Sequence, residues 1–255
     1  MDPKVRSERF ERWHTCSLCE QQYHGVVYCA LGWACWKTYV GRPEADQFRG
    51  MAMNQLGNGL HEAERHADAL TVREAELSMR LRLGDSAINI LSVQTNLAST
   101  YSALGRQENA VRMSQNVYSG RFKLLGEEHP QTLLAANNYA DSLNCQLCFE
   151  EAKTLLRKTM PVARRVLGEN DVLTLSIRAN YARALYKADG ATLGDLREAV
   201  STLEDTGRIA QRVFGGAHPL TLRAESNLRN ARAVLAARDG DDASSVCEAL
   251  RKAKV

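Results

Sequence analysis

Apolar residues recur at spacings of three and four along most of the chain, and the pattern repeats. Asn96-Leu97-Ala98 returns as Asn138-Tyr139-Ala140 and as Asn180-Tyr181-Ala182, each 42 residues on. Asn227-Leu228 follows 47 residues later. Gly126-x-x-His129-Pro130-x-Thr132-Leu133 returns as Gly168-x-x-Asp171-x-x-Thr174-Leu175 and as Gly215-x-x-His218-Pro219-x-Thr221-Leu222. A fixed period of roughly 20–50 residues means stacked supersecondary units, because no single unit buries its apolar face alone. Each copy has one plan. A first helix carries residues such as Leu97, Ala98 and Tyr101, a turn falls at Gly105-Arg106, and a second helix carries Ala110 and runs to about Leu125. Gly126 is placed to end that helix and Pro130 to begin the next. The small residues Ala98 and Ala110 let the paired helices approach, where a larger side chain would overpack.

Some copies depart from the plan. Ala69 and Gly84 mark a degenerate early copy. The second copy has Leu147-Cys148 at its turn and Pro161 inside its second helix, which predicts a kink near Thr159. The third copy carries about five extra residues within Lys187 to Asp195, a loop expected to protrude. Upstream, Val27, Leu31, Ala34, Cys35 and Tyr39 predict a helix from about Gly25, and a second runs from Glu44 to about His61, with Pro43 at its start. Downstream, Asp239-Gly240 is expected to break the last long helix, and Ser245-x-x-Glu248 predicts a short capping helix over about 243–253. The expected organisation is a flexible, cysteine-bearing lead over 1–25 and a helical repeat domain over 26–255, with clear repeats over about 54–237.

Composition narrows the function. A net charge of +3 in 255 residues is not the basic surplus of a nucleic-acid binder, so no nucleic acid is expected. Five prolines and 6% aromatics suit a helical array. No run of about 18 apolar residues is present, so no membrane span is expected. Without an apolar stretch behind the first Met, no secretory signal is expected either. Seven cysteines, an odd number, suggest reduced thiols and a cytoplasmic setting.

The two repeated boxes at a 42-residue period resemble the tetratricopeptide repeat of kinesin light chains and their relatives. The resemblance implies an all-α fold, a right-handed α-solenoid of stacked antiparallel helix pairs. It also implies a non-enzymatic scaffold whose concave groove takes extended peptide segments of partner proteins. The heptad coiled coil by which kinesin light chains join their motor is missing here, so the motor role is not implied. By resemblance the asparagines Asn96, Asn138, Asn180 and Asn227 face the groove, where each amide offers one donor and one acceptor to a peptide backbone. Asp141, Arg183, Arg223 and Asn230 then lie beside them. The competing reading is that each asparagine bonds a neighbouring helix and supports the stack.

Cys16-x2-Cys19-x4-His24-x4-Cys29 has the ligand spacing of a zinc knuckle. The glycines that usually accompany one are replaced by Glu20 and Tyr23. Cys16, Cys19, Gln21, Tyr23 and Gly25 also match the end of a RING-type zinc finger carried by some relatives, whose other ligands are missing here. That match implies an alternative function, substrate recognition in a RING-type ubiquitin ligase. Ordinary cysteines in a helical cap are the third reading, and all three stay open at this stage. No other cofactor is expected. Cys145-x2-Cys148 falls on a turn and reads as ordinary thiols, and His129 and His218 read as structural because they repeat with the turn. No nucleophile-base pair, phosphate loop or carboxylate pair stands out.

Overall fold

The computed structural model describes residues 10–252, with side chains through residue 239. Its helices are α1 (Gly25–Tyr39), α2 (Gln47–Glu62), α3 (His66–Arg82), α4 (Ala87–Ala103), α5 (Gln107–Leu125), α6 (Pro130–Cys145), α7 (Phe149–Leu167), α8 (Val172–Lys187), α9 (Leu193–Phe214) and α10 (Pro219–Lys252). Among the described residues the only β pairing is an isolated bridge, Thr15 to Gln22. The chain divides into two compact units, residues 1–120 and 121–255.

In the first unit α1 packs on α2, α2 on α3 and α3 on α4. The α1–α2 crossing is close. A Cβ on Gly59 would lie 2.9 Å from the Cys29 backbone, so only glycine fits there. Leu70, Val93 and Leu97 form the core between α3 and α4, with Tyr101 packed against it. In the second unit α6–α7, α7–α8, α8–α9 and α9–α10 pack in sequence, and α8 also touches both α6 and α10 directly. Leu133, Leu143, Leu156, Leu175, Leu185, Leu196 and Leu203 are fully buried there.

The repeated boxes act mainly as caps. His129 Nδ1 accepts the backbone N–H of Gln131 at 3.1 Å, and His218 Nδ1 accepts that of Leu220 at 3.2 Å. In the third copy the Asp171 carboxylate takes the same position and accepts the N–H of Leu173 at 2.8 Å. Each thus satisfies one orphan donor of a helix start, with Pro130 or Pro219 beginning the helix behind the two histidines. The following threonines are buried, and Thr221 donates to Gly215 O at 2.9 Å. Gly126, Gly168 and Gly215 take positive φ at the ends of the second helices. The turn within a copy also needs a left-handed residue. Gly105 supplies it at φ +70°, while Leu147 and Glu64 take φ +65° and +60° in the neighbouring copies.

Four expectations are corrected. The lead is not free over residues 10–24. Phe10 is buried against Cys35, Phe48 and Ala52, with Trp13, Trp36 and Tyr39 packed alongside, and residues 1–9 lie outside the described residues. The helix expected from Glu44 starts at Gln47, where Asp46 caps it through the N–H of Phe48 at 2.8 Å. The extra residues of the third copy are tied down rather than projecting. Ala191 is buried, its carbonyl accepts from Arg238 at 3.3 Å, and Thr192 forms a capping box with Asp195. The break at Asp239-Gly240 is absent, and α10 runs through it. A lone mid-helix glycine costs about 1 kcal/mol against alanine, and without a proline or a left-handed residue the run of alanine, leucine and arginine before it continues. Side chains of the expected capping box at Ser245 and Glu248 lie outside the described residues. Helix α7 carries Pro161 within its span.

Candidate interaction face and N-terminal cysteines

The expected groove residues of the second unit lie on α6, α8 and α10, the first helices of three successive copies, of which α8 touches the other two. Their surroundings separate them into two groups. Asn180 is 2% exposed, and its Nδ2 donates to Asn137 Oδ1 at 3.0 Å. Its backbone carbonyl accepts Asn144 Nδ2 at 3.1 Å. This amide is spent between helices α6 and α8, so Asn180 is corrected from a peptide contact to a support of the stack. Asn227 is half-buried and accepts the Tyr186 hydroxyl at 3.1 Å, which ties α10 to α8.

The others keep exposure. Asn138 is half-buried, and Arg223 and Asn230 are exposed. Arg183 reaches back across the copies to Asp141 at 3.3 Å, and its other nitrogen meets Cys145 Sγ at 3.7 Å. With the two side chains 29% and 45% exposed, that pair is held at the surface, where an ion pair contributes little stability. It leaves guanidinium and carboxylate edges open to a ligand. Of the expected groove residues only Asp141 and Arg183 are brought into contact; Asn138 lies on α6 with Asp141, and Arg223 and Asn230 lie exposed on α10.

In the first unit Asn96 is half-buried on α4, and its carbonyl accepts Arg73 Nη1 at 2.7 Å. Arg73, on α3, was not singled out from the sequence. It is 3% exposed and also donates to Asn58 Oδ1 at 2.9 Å and to the Thr100 hydroxyl, so one guanidinium joins α2, α3 and α4. Burial lowers its pKa to about 10. An arginine amid charged residues on an amphipathic helix reads as surface, and nothing in its spacing marks it as inward-facing. Nearby, His61 packs its ring 4.8 Å from that of His66, and its Nε2 lies 3.4 Å from the Ser99 hydroxyl. Burial, with Arg73 and His66 beside it, pushes the His61 imidazole down to about 4.

The zinc-knuckle set does not come together. Cys29 lies on the inner face of α1, packed with Leu56, Leu60 and Ala69. His24 turns to Glu62, Nδ1 to Oε1 at 3.2 Å. Among the described residues no three histidine, cysteine, aspartate or glutamate side chains are grouped to hold a metal. The helical period begins before Cys29 and commits that thiol to the core, which overrides the ligand spacing. Cys16 and Cys19 do meet, on a small hairpin. Backbone N–H groups of Cys19 and Leu18 point at the Cys16 sulfur, as does the Cys19 thiol, and together they lower Cys16 to about 7. Cys145 and Cys148 stay on the α6–α7 turn.

Known proteins resemble this chain through the repeat. Residues 90–131, which span α4 and α5, match the tetratricopeptide repeat family model. No curated protein matches. Among solved structures, two forms of a kinesin light chain-like protein of nearly identical TPR-like repeats from Podosopora anserina superpose with TM-scores of 0.62 and 0.61. They are 23% and 22% identical, over 80% and 83% of this chain and 93% and 96% of theirs. BtubC (BKLC) from P. vanneervenii superposes with a TM-score of 0.57 at 15% identity, over 84% of this chain and 91% of its own. The fold is thus the all-α tetratricopeptide solenoid of kinesin light chain-like repeat proteins. None of the described helices is long and apolar enough to cross a membrane.

Proposed function

We propose that this array of tetratricopeptide-type helix pairs is a non-enzymatic scaffold that binds extended peptide segments of other proteins along the α6–α8–α10 face, in the cytoplasm. The repeat fold supports protein interaction in general. The observation that supports the finer reading is the exposed Asp141–Arg183 pair on α6 and α8, with Asn138 half-buried on α6 and Arg223 and Asn230 exposed on α10, while Asn180 is buried within the stack. An extended peptide presents backbone donors and acceptors at regular intervals, and a row of amides meets them with little regard to sequence. The Asp141–Arg183 pair adds a choice of charge. No nucleic acid is required by this reading, since net charge is nearly balanced. The odd cysteine count supports the cytoplasmic setting.

The test is a selection of displayed peptides on the full chain. Selected peptides are then titrated against the chain and against Asn138→Ala and Arg183→Ala. Each lost hydrogen bond is worth roughly 0.5–1.5 kcal/mol, so each variant weakens binding by about two- to tenfold. Peptides that bind both variants as tightly as the parent would place the interaction elsewhere.

A further inference from the structure

Helix α1 (Gly25–Tyr39) has a single charged residue, Lys37, and apolar side chains all round. A helix of that composition is ordinarily buried on every side. Its inner side is. Cys29 and Cys35 pack into the core with α2 residues, and Gly32 lies so close to α2 that an added Cβ would meet the Gln55 carbonyl oxygen at 3.1 Å. The outer side is open. Val26 is 79% exposed and Trp33 39%, and Val27, Ala30 and the C-cap residue Val40 are exposed with them. Val26, Ala30, Trp33 and Lys37 follow at spacings of four, three and four, which sets them in one stripe. Apolar residues exposed singly are ordinary, but a contiguous stripe on one helix is an interaction surface.

Two properties make this stripe complementary to itself. Small Ala30 lies beside bulky Trp33, so a second α1 laid antiparallel puts each tryptophan over the alanine of the other. The charges also match end to end. Lys37 is exposed in the last turn, where a cation suits the helix dipole. At the first turn the Glu62 carboxylate accepts the Gly25 N–H at 2.9 Å, with its side chain 37% exposed. In the register that pairs Ala30 with Trp33, Lys37 lies opposite Val26, one residue from Gly25. Each ammonium then meets the carboxylate end of the other helix.

We propose that the outer face of α1 binds the same face of a second copy of this chain, antiparallel about a two-fold axis beside Ala30 and Trp33. Such an interface is isologous, so each Trp33–Ala30 and Lys37–Glu62 contact occurs twice. It removes Trp33 and Val26 from water and sets the two helix dipoles in opposition. The peptide face proposed on α6, α8 and α10 takes no part in it, so either reading stands without the other.

The full chain is sedimented at stepped concentrations in an analytical ultracentrifuge. The average mass is expected to rise from that of one chain toward that of two. Trp33→Glu is expected to raise the dimer dissociation constant at least tenfold. Lys37→Glu and Glu62→Lys are each expected to weaken the dimer, and the chain carrying both exchanges to recover it, because the pair is re-formed with its signs reversed. Circular dichroism checks that the variants stay folded. A parent chain that stays single up to about 100 µM, a dimer indifferent to Trp33→Glu, or a double exchange that fails to restore association would each overturn the proposal.

Discussion

Asn180 gives its side-chain amide to Asn137 across the α6–α8 interface at 3.0 Å, and both residues are buried. Asn138, the residue next to its acceptor, lies on the same helix with a partly open side chain. Two adjacent asparagines therefore divide the work of the repeat. One joins neighbouring copies and the other stays partly exposed.

This division predicts opposite outcomes for two alanine variants. Asn180→Ala leaves Asn137 Oδ1 buried without its donor, at a cost of about 1–3 kcal/mol. Its urea midpoint should fall clearly. Asn138→Ala removes no buried bond and should unfold within about 0.5 kcal/mol of the parent, while weakening peptide binding. If Asn138→Ala unfolds early and binds normally, it too is a support of the stack.

The capping histidines make a second prediction. His129→Ala removes the acceptor for the Gln131 N–H and should cost about 1 kcal/mol in chemical denaturation. His129→Asp should recover most of that loss, because Asp171 performs the same task in the next copy and a carboxylate is favoured at a helix N-terminus. Failure of the aspartate to rescue would mean that ring packing, not the cap, holds His129 in place.

A third prediction concerns the turns within copies. Leu147 sits at φ +65° and is 72% exposed, so it has left-handed strain and little packing to lose. Left-handed backbone costs a non-glycine residue about 1–2 kcal/mol, part of which glycine returns as unfolded-state entropy. Leu147→Gly should therefore stabilise the chain by about 0.5–1 kcal/mol, read as a higher urea midpoint. Gly105→Leu, which installs the same strain in the first clear copy, should destabilise by a similar amount.

The repeat was legible because its signals are local. Pro130 and Pro219 start helices and Gly126 ends one, each for a reason that acts within a few residues, and Ala98 and Ala110 are buried. What the pattern did not show depends on partners far along the chain. Nothing in Asn137-Asn138 tells which amide turns inward, since the choice is made by Asn180, 43 residues away. Arg73 reads as a surface charge until Asn58, Asn96 and Thr100 are seen around it. The zinc spacing at Cys16, Cys19, His24 and Cys29 does not show that Cys29 packs in the core of α1 and α2. The hairpin at Cys16 is anchored at Trp13 by Gln55, 42 residues away, a partner that its own sequence does not show.

The last prediction is a dependence of stability on pH. His61 is pushed down to about 4 by burial first, then by Arg73 and His66, against a raising influence from Glu62. The unfolded chain regains the ordinary imidazole value of 6.5 and so takes up this proton before the folded chain does. The stability tied to a neutral His61 is therefore fully present above pH 6.5 and is lost as pH falls toward 4. Urea midpoints measured in steps between those limits should decline in the parent chain. His61→Gln removes the titrating ring from the neighbourhood of Arg73, and its midpoints should decline less steeply over the same steps. The other carboxylates titrate in both chains, so the difference between the two curves isolates the imidazole. Parallel curves would mean that His61 is free to charge in the folded state and that its place beside Arg73 carries no acid sensitivity.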